Sequence, residues 1–234
     1  MHYELIDNTE KYIQYSKTLK DEGITCISLD IEGEFNLHCY GEHLCLIQIY
    51  DGKRKLIIDP FTIDDEQIAH LFSNRDILKI MYSSESDQAL IHKKYNTEIK
   101  SILDLRPAVT VLGVEKEGLS SVLESFLGIT PGRNRQKYNW MKRPIEASAI
   151  DYALNDVIHL FTLKEKLFEE LTRRKRLDEY LLMNLKIQNG DFQKNTLPSF
   201  FKKKQYKKLN NNQKEKAKKI FYIRERYAEK YNLP

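Results

Sequence analysis

Residues 24–32 read ITCISLDIE, and the rest of the chain is organised around this stretch. Apolar and polar residues alternate through it, and β-branched side chains are frequent, which predicts a strand. Asp30 and Glu32 stand two apart near its end, so their carboxylates share one face. Two acids held that close repel unless a cation lies between them. The competing reading is a pair of solvated acids on an exposed strand face. Ile24, Ile27 and Leu29 argue for a buried strand instead.

Working outward, HLCLIQIYD (43–51) and KLIIDP (55–60) follow at short intervals, with Asp51-Gly52 as a turn signal between them. Three strands joined so tightly predict an antiparallel meander. The rhythm then changes to DDEQIAHLF (64–72) as helix, DILKIMY (76–82) as strand and SESDQALIHKKY (84–95) as helix. That alternation predicts parallel additions to the same sheet, hence an α/β fold with a mixed sheet flanked by helices. From residue 103 the pattern is mainly helical: LDLRPAVTVLG, GLSSVLESFLG, then a long stretch from about Pro144 to Arg174. Gly113 and Gly128 stand where helix C-caps are expected.

Composition sets the outer limits. The 234 residues are 41% hydrophobic and 31% charged, which suits a soluble globular protein. No apolar run approaches a membrane span, so no membrane partner is expected, and the first twenty residues lack the layout of a secretory signal. A cytoplasmic location is the resulting expectation. Cys26, Cys39 and Cys45 have no paired spacing and read as buried thiols. Charge is unevenly spread. Residues 1–170 hold 20 Lys and Arg against 28 Asp and Glu, a net −8; residues 171–234 hold 18 against 6, a net +12. An acidic body with a basic tail predicts metal chemistry in the first and polyanion binding in the second.

Two further acids complete the pattern. Asp87 opens a helix after an apolar strand, where a dipole-favoured acid is the simple explanation. Asp156 follows Tyr152 by four residues on a predicted helix, which places both on one face. Each signal is weak alone; the order and context make the combination strong. Asp30-Ile31-Glu32, Asp87 and Tyr152-Ala-Leu-Asn-Asp156 resemble the D-x-E, D and Y-x-x-x-D motifs of the RNase D branch of the DEDD 3′–5′ exonucleases. The similarity runs over about residues 20–175. A sister group has a histidine five residues before the last Asp; Asp151 occupies that place here, so the tyrosine subgroup is the match. Two departures stand out. Tyr82 replaces a common histidine, and Gly33-Glu34-Phe35 replaces the usual continuation of the first motif. They bear on substrate preference and leave the acids intact.

The resemblance implies a ribonuclease H-like fold and a hydrolase with two Mg²⁺ or Mn²⁺ ions. Asp30 would bridge both ions, Glu32 and Asp156 would complete the first site, and Asp87 would hold the second. Tyr152 would orient the attacking water. The expected product is a nucleoside 5′-monophosphate from an RNA 3′ end, with tRNA and other structured RNAs as candidate substrates. DNA as substrate and an inactive RNA-binding scaffold are the alternatives. Arg133, Arg135, Lys137, Lys142 and Arg143 crowd a loop with Tyr138 and Trp140, so the cations are candidate phosphate ligands and Trp140 an anchor to the core. Residues 1–185 are expected to form the exonuclease domain. Residues 186–234 are expected to form a linker and basic helical extension resembling the start of an HRDC module.

Overall fold

The computed structural model describes residues 1–130, 135, 137–190 and 198–234. Its centre is a six-stranded mixed sheet in the order β1-β4-β3-β2-β5-β6. The strands are β1 (Glu4–Ile6), β2 (Cys26–Phe35), β3 (Glu42–Tyr50), β4 (Lys55–Ile58), β5 (Leu78–Met81) and β6 (Ile102–Asp104). β2, β3 and β4 form the expected antiparallel meander, and β5 adds to β2 in parallel. Two strands have no counterpart in the sequence pattern. β1 pairs with β4 and β6 with β5, both in parallel. Each spans three residues, too few to display alternation, and residues 103 and 104 belong to a segment whose pattern is helical. The helix itself, α4 (Arg106–Leu112), begins only after the strand ends.

The long β2 is covered on both faces. Ile27, Leu29 and Ile31 join a core built with α1 (Thr9–Asp21), α2 (Asp65–Ser73) and α3 (Glu85–Tyr95). The opposite face carries Ser28, Asp30 and Glu32 toward α6 (Ala147–Ile158). There Ser28 Oγ donates to the Val157 carbonyl at 2.8 Å. Ala149, Ile150, Ala153, Leu154 and Val157 form the buried stripe of α6 at helical spacing, and the two alanines let it approach the sheet closely. Trp140 is buried in the same cluster with an edge-on Tyr138, as expected of an anchor.

The predicted helix from about 144 to 174 is divided at His159 into α6 and α7 (Leu160–Arg173). α4 and α5 (Leu119–Leu127) end on Gly113 and Gly128 with φ of +72° and +67°, so both anticipated caps are present. α8 (Leu177–Gln188) is tied into the sheet. Its Asn184 accepts from Asp104 N at 2.9 Å and donates to Ile102 O at 3.1 Å, and Tyr180 donates to Asp104 O. The expected boundary at 185/186 thus falls within α8. Beyond it lie α9 (Ser199–Lys202), α10 (Lys204–Lys207) and α11 (Asn211–Tyr231), the last opened by an Asn210/Gln213 capping box. Among the described residues, no helix is long and apolar enough to cross a membrane.

Candidate metal centre

β2 delivers two carboxylates to one point and α6 a third. Oxygens of Asp30, Glu32 and Asp156 lie within 4.8 Å of one another. Pairing explains how β2 is aimed: Asp30 is opposite Gln48 of β3. The buried Gln48 then donates to Glu32 Oε1 at 3.4 Å, which fixes the second acid relative to the first.

Asp87, in the first turn of α3, stands outside that triplet but acts on it. Burial raises the Asp30 carboxyl well above its usual range, and the charge of Asp87 adds more than those of Asp156 and Glu32. Glu32 is also raised, by burial and then by Asp156 and Asp87. Burial pushes Asp87 up to about 7, helped by the charge of Asp104. Asp156 likewise rises to about 7 through burial, opposed by the neighbouring Tyr152 hydroxyl. Burial and the surrounding carboxylates raise the Tyr152 phenol in turn, so it stays protonated at neutral pH. Among the described residues, no Lys or Arg contributes to the shifts of Glu32, Asp87 and Asp156. Such an all-oxygen, electrostatically frustrated set is what a hard divalent cation requires.

One positioning residue carries no signal in the sequence. Asp104, at the end of β6, is buried and accepts from Ser83 N, Ser84 N, Ser84 Oγ and Arg106 N at 2.7–2.9 Å. It thereby shapes the turn through Ser83 (φ +64°) that launches α3 and aims Asp87. An acid at the end of a three-residue strand, inside a segment of helical pattern, gives no visible sign of this role.

The basic loop divides into unlike members. The Arg143 guanidinium is committed to Asp59 at 2.6 and 3.0 Å and to the carbonyls of Cys45, Trp140 and Lys142. It braces the loop against the sheet. Arg135 donates to Ser148 Oγ at 2.7 Å, Lys142 lies 3.5 Å from Glu146, and Lys137 is exposed. Arg133 lies outside the described residues. Tyr82, the replacement for the common histidine, donates to the Glu117 carbonyl instead of facing the acids.

Several known proteins are similar to this chain. The profile of a family described as 3′–5′ exonuclease matches residues 3–172. Ribonuclease D of Zymomonas mobilis is 34% identical over 141 residues, covering 58% of this chain and 36% of that protein. The crystal structure of Escherichia coli RNase D, titled an exoribonuclease involved in structured RNA processing, is similar with a TM-score of 0.79 at 22% identity. It covers all of this chain, which spans 62% of that one. The catalytic core of RRP6 from Trypanosoma brucei gives 0.81 at 21% identity, covering 99% and 65% of the respective chains. The chain thus spans little more than a third of the curated relative's length and under two thirds of either solved structure.

Proposed function

The chain belongs to the 3′–5′ exonuclease family, and from that premise we propose that it shortens single-stranded RNA 3′ ends by metal-dependent hydrolysis. The convergence of Asp30, Glu32 and Asp156 within 4.8 Å carries the reading. Asp30, Glu32 and Asp156 would hold one divalent ion, and Asp30 with Asp87 a second. Their uniformly carboxylate character favours Mg²⁺ or Mn²⁺ over softer metals. Ions held there would supply a lowered pKa for water and charge stabilisation at the attacking and leaving oxygens.

The chain's own groups supply the order around that chemistry. β2 and Gln48 fix the angle between Asp30 and Glu32, and Asp104 fixes the turn that presents Asp87. Tyr152 keeps its proton on Oη and sits beside Asp156, so it orients a nucleophilic water by hydrogen bonding and leaves the proton transfer to others. Arg135, Lys137 and Lys142 are candidates for backbone phosphates, and Lys202, Lys203, Lys204, Lys207 and Lys208 are all exposed on the tail. Similarity to proteins named ribonuclease D supports RNA as the substrate.

The test is digestion of 5′-labelled RNA and DNA of identical sequence with single-stranded 3′ tails. With Mg²⁺ or Mn²⁺ the RNA should shorten stepwise from its 3′ end, releasing nucleoside 5′-monophosphates, and EDTA should stop it. Absence of shortening with either metal overturns the reading. Equal rates on DNA overturn the substrate assignment alone.

A further inference from the structure

Gln48 stands where the surrounding pattern calls for an apolar residue. On β3 it shares a face with Leu46, and across the sheet it is paired with Ile57 of β4 on one side and Asp30 of β2 on the other. Leu46 and Ile57 pack with Ala153 and Leu154 of α6 in the cluster around Trp140. Gln48 is buried as deeply as they are. Its Nε2 donates to Glu32 Oε1 at 3.4 Å, and among the described residues no group donates to its own Oε1.

Turning the amide over does not relieve this. With Oε1 and Nε2 exchanged, an acceptor would face the Glu32 carboxylate, which can only accept when ionised. Glu32 therefore holds Nε2 toward itself and leaves Oε1 as the end without a protein partner. An unpaired buried acceptor is costly, whereas an apolar side chain of the same shape is not. A methionine here would simply continue the surface of Leu46 and Ile57. The position of the free oxygen is informative. One carbonyl carbon separates the two ends of an amide, so Oε1 is within a water's reach of Glu32, whose carboxylate gathers with those of Asp30 and Asp156 within 4.8 Å. Mg²⁺ gives up its hydration reluctantly and keeps several waters when bound by carboxylates. Each of those waters has protons to donate.

We infer that Gln48 is a positioning residue of the metal centre: Nε2 holds Glu32 by one oxygen, and Oε1 accepts a hydrogen bond from a water on the ion that Asp30, Glu32 and Asp156 would bind. This rests on the exonuclease reading above and adds a neutral acceptor to the four acids. Gln48 touches neither the ion nor RNA. It fixes where one water stands, and so which position on the ion stays open to a phosphodiester.

The first measurement is Mn²⁺ affinity, read from the electron paramagnetic resonance of free Mn²⁺, in wild type, Gln48→Met and Asp30→Asn without RNA. Gln48→Met should bind about tenfold to a hundredfold more weakly, the usual cost of losing a partner just beyond the ligands. Its melting temperature in EDTA should be no lower than that of wild type; a fall would assign Gln48 to the fold instead. Affinity unchanged in Gln48→Met but lost in Asp30→Asn overturns the inference and leaves the exonuclease reading intact. The second measurement is a crystal structure of the Mn²⁺ complex, where a water on the ion should stand within about 3.2 Å of Gln48 Oε1. An Oε1 that bonds a protein group there overturns the inference, whatever the affinities. A wild type that holds Mn²⁺ and its water in this way yet never shortens RNA overturns the exonuclease reading alone.

Discussion

At the scale of single residues, the site is a collection of charges that the fold forces together. Replacing Asp30 by Asn removes the acid shared by both proposed ions, and the expected loss of turnover is at least about a thousandfold. The same change should stabilise the metal-free protein, because it removes the charge on which three others converge. Metal-free stability also follows pH. Carboxyls raised in the folded state bind more protons there than when unfolded, so their contribution is complete below about pH 4 and is lost as pH rises through about 7. The melting temperature in EDTA should therefore fall from pH 5.5 to 8, and Mg²⁺ should restore several degrees at pH 8 but little at pH 5.5. Equal melting temperatures of wild type and Asp30→Asn across this range would show that the acids do not repel. Tyr152→Phe should lower kcat about tenfold to a hundredfold through a misplaced water; wild-type rates would make the phenol a packing group. Asp30, Glu32, Tyr152 and Asp156 were legible because spacings of two and four map directly onto strand and helix faces. Asp104 and Arg143 were not, since their partners are mostly backbone groups, which leave no trace in side-chain pattern.

Elements were legible in proportion to their length and periodicity. β2 alternates and β3 is a long apolar run, whereas β1 and β6 are three-residue strands that exist only through pairing with β4 and β5. β5 conceals a feature of the same kind. Lys79 is fully buried in it, and its Nζ donates to the carbonyls of Asn74, Ile77 and Lys100 at 2.6–3.0 Å. One ammonium thus joins the end of α2, the start of β5 and the approach to β6, three segments with no local reason to meet. Burial lowers this lysine to about 8, against ~10.4 for the unfolded chain. Between those values the unfolded state binds more protons, so this group makes stability rise with pH from about 8 to about 10, by at most ~1.4 kcal/mol per unit. Urea unfolding at pH 7.5, 8.5 and 9.5 should show that slope in the wild type. Lys79→Met should be less stable at every pH, having orphaned three carbonyls, but should lack the slope. A slope retained in the variant would assign it to another group.

At the scale of the whole molecule, charge asymmetry was readable from composition, but its attachment to the site was not. α11 is tied to the loop after β2 by Tyr40, which donates its backbone N–H to Asn232 Oδ1 at 3.0 Å and its hydroxyl to Glu225 Oε2 at 3.3 Å. Those bonds join residues 192 and 185 positions apart, and no local pattern announces them. They place the basic helix against the loop that joins β2, which carries Asp30 and Glu32, to β3. An RNA strand running from the proposed metal centre past this loop would meet positive charge, and each phosphate neutralised there would release counterions. Deleting residues 200–234 should make the plot of log affinity against log salt shallower by about 0.7 for each phosphate of single-stranded RNA that the tail neutralises. The check is binding of an Asp30→Asn protein, with and without the tail, to one labelled oligonucleotide between low and physiological salt. Tyr40→Phe probes the attachment separately: it removes one hydrogen bond while keeping every lysine, so a tail acting by charge alone predicts an unchanged slope. A full-length slope equal to that of the truncated protein would remove the tail from the RNA path and leave the acidic body to bind its substrate unaided.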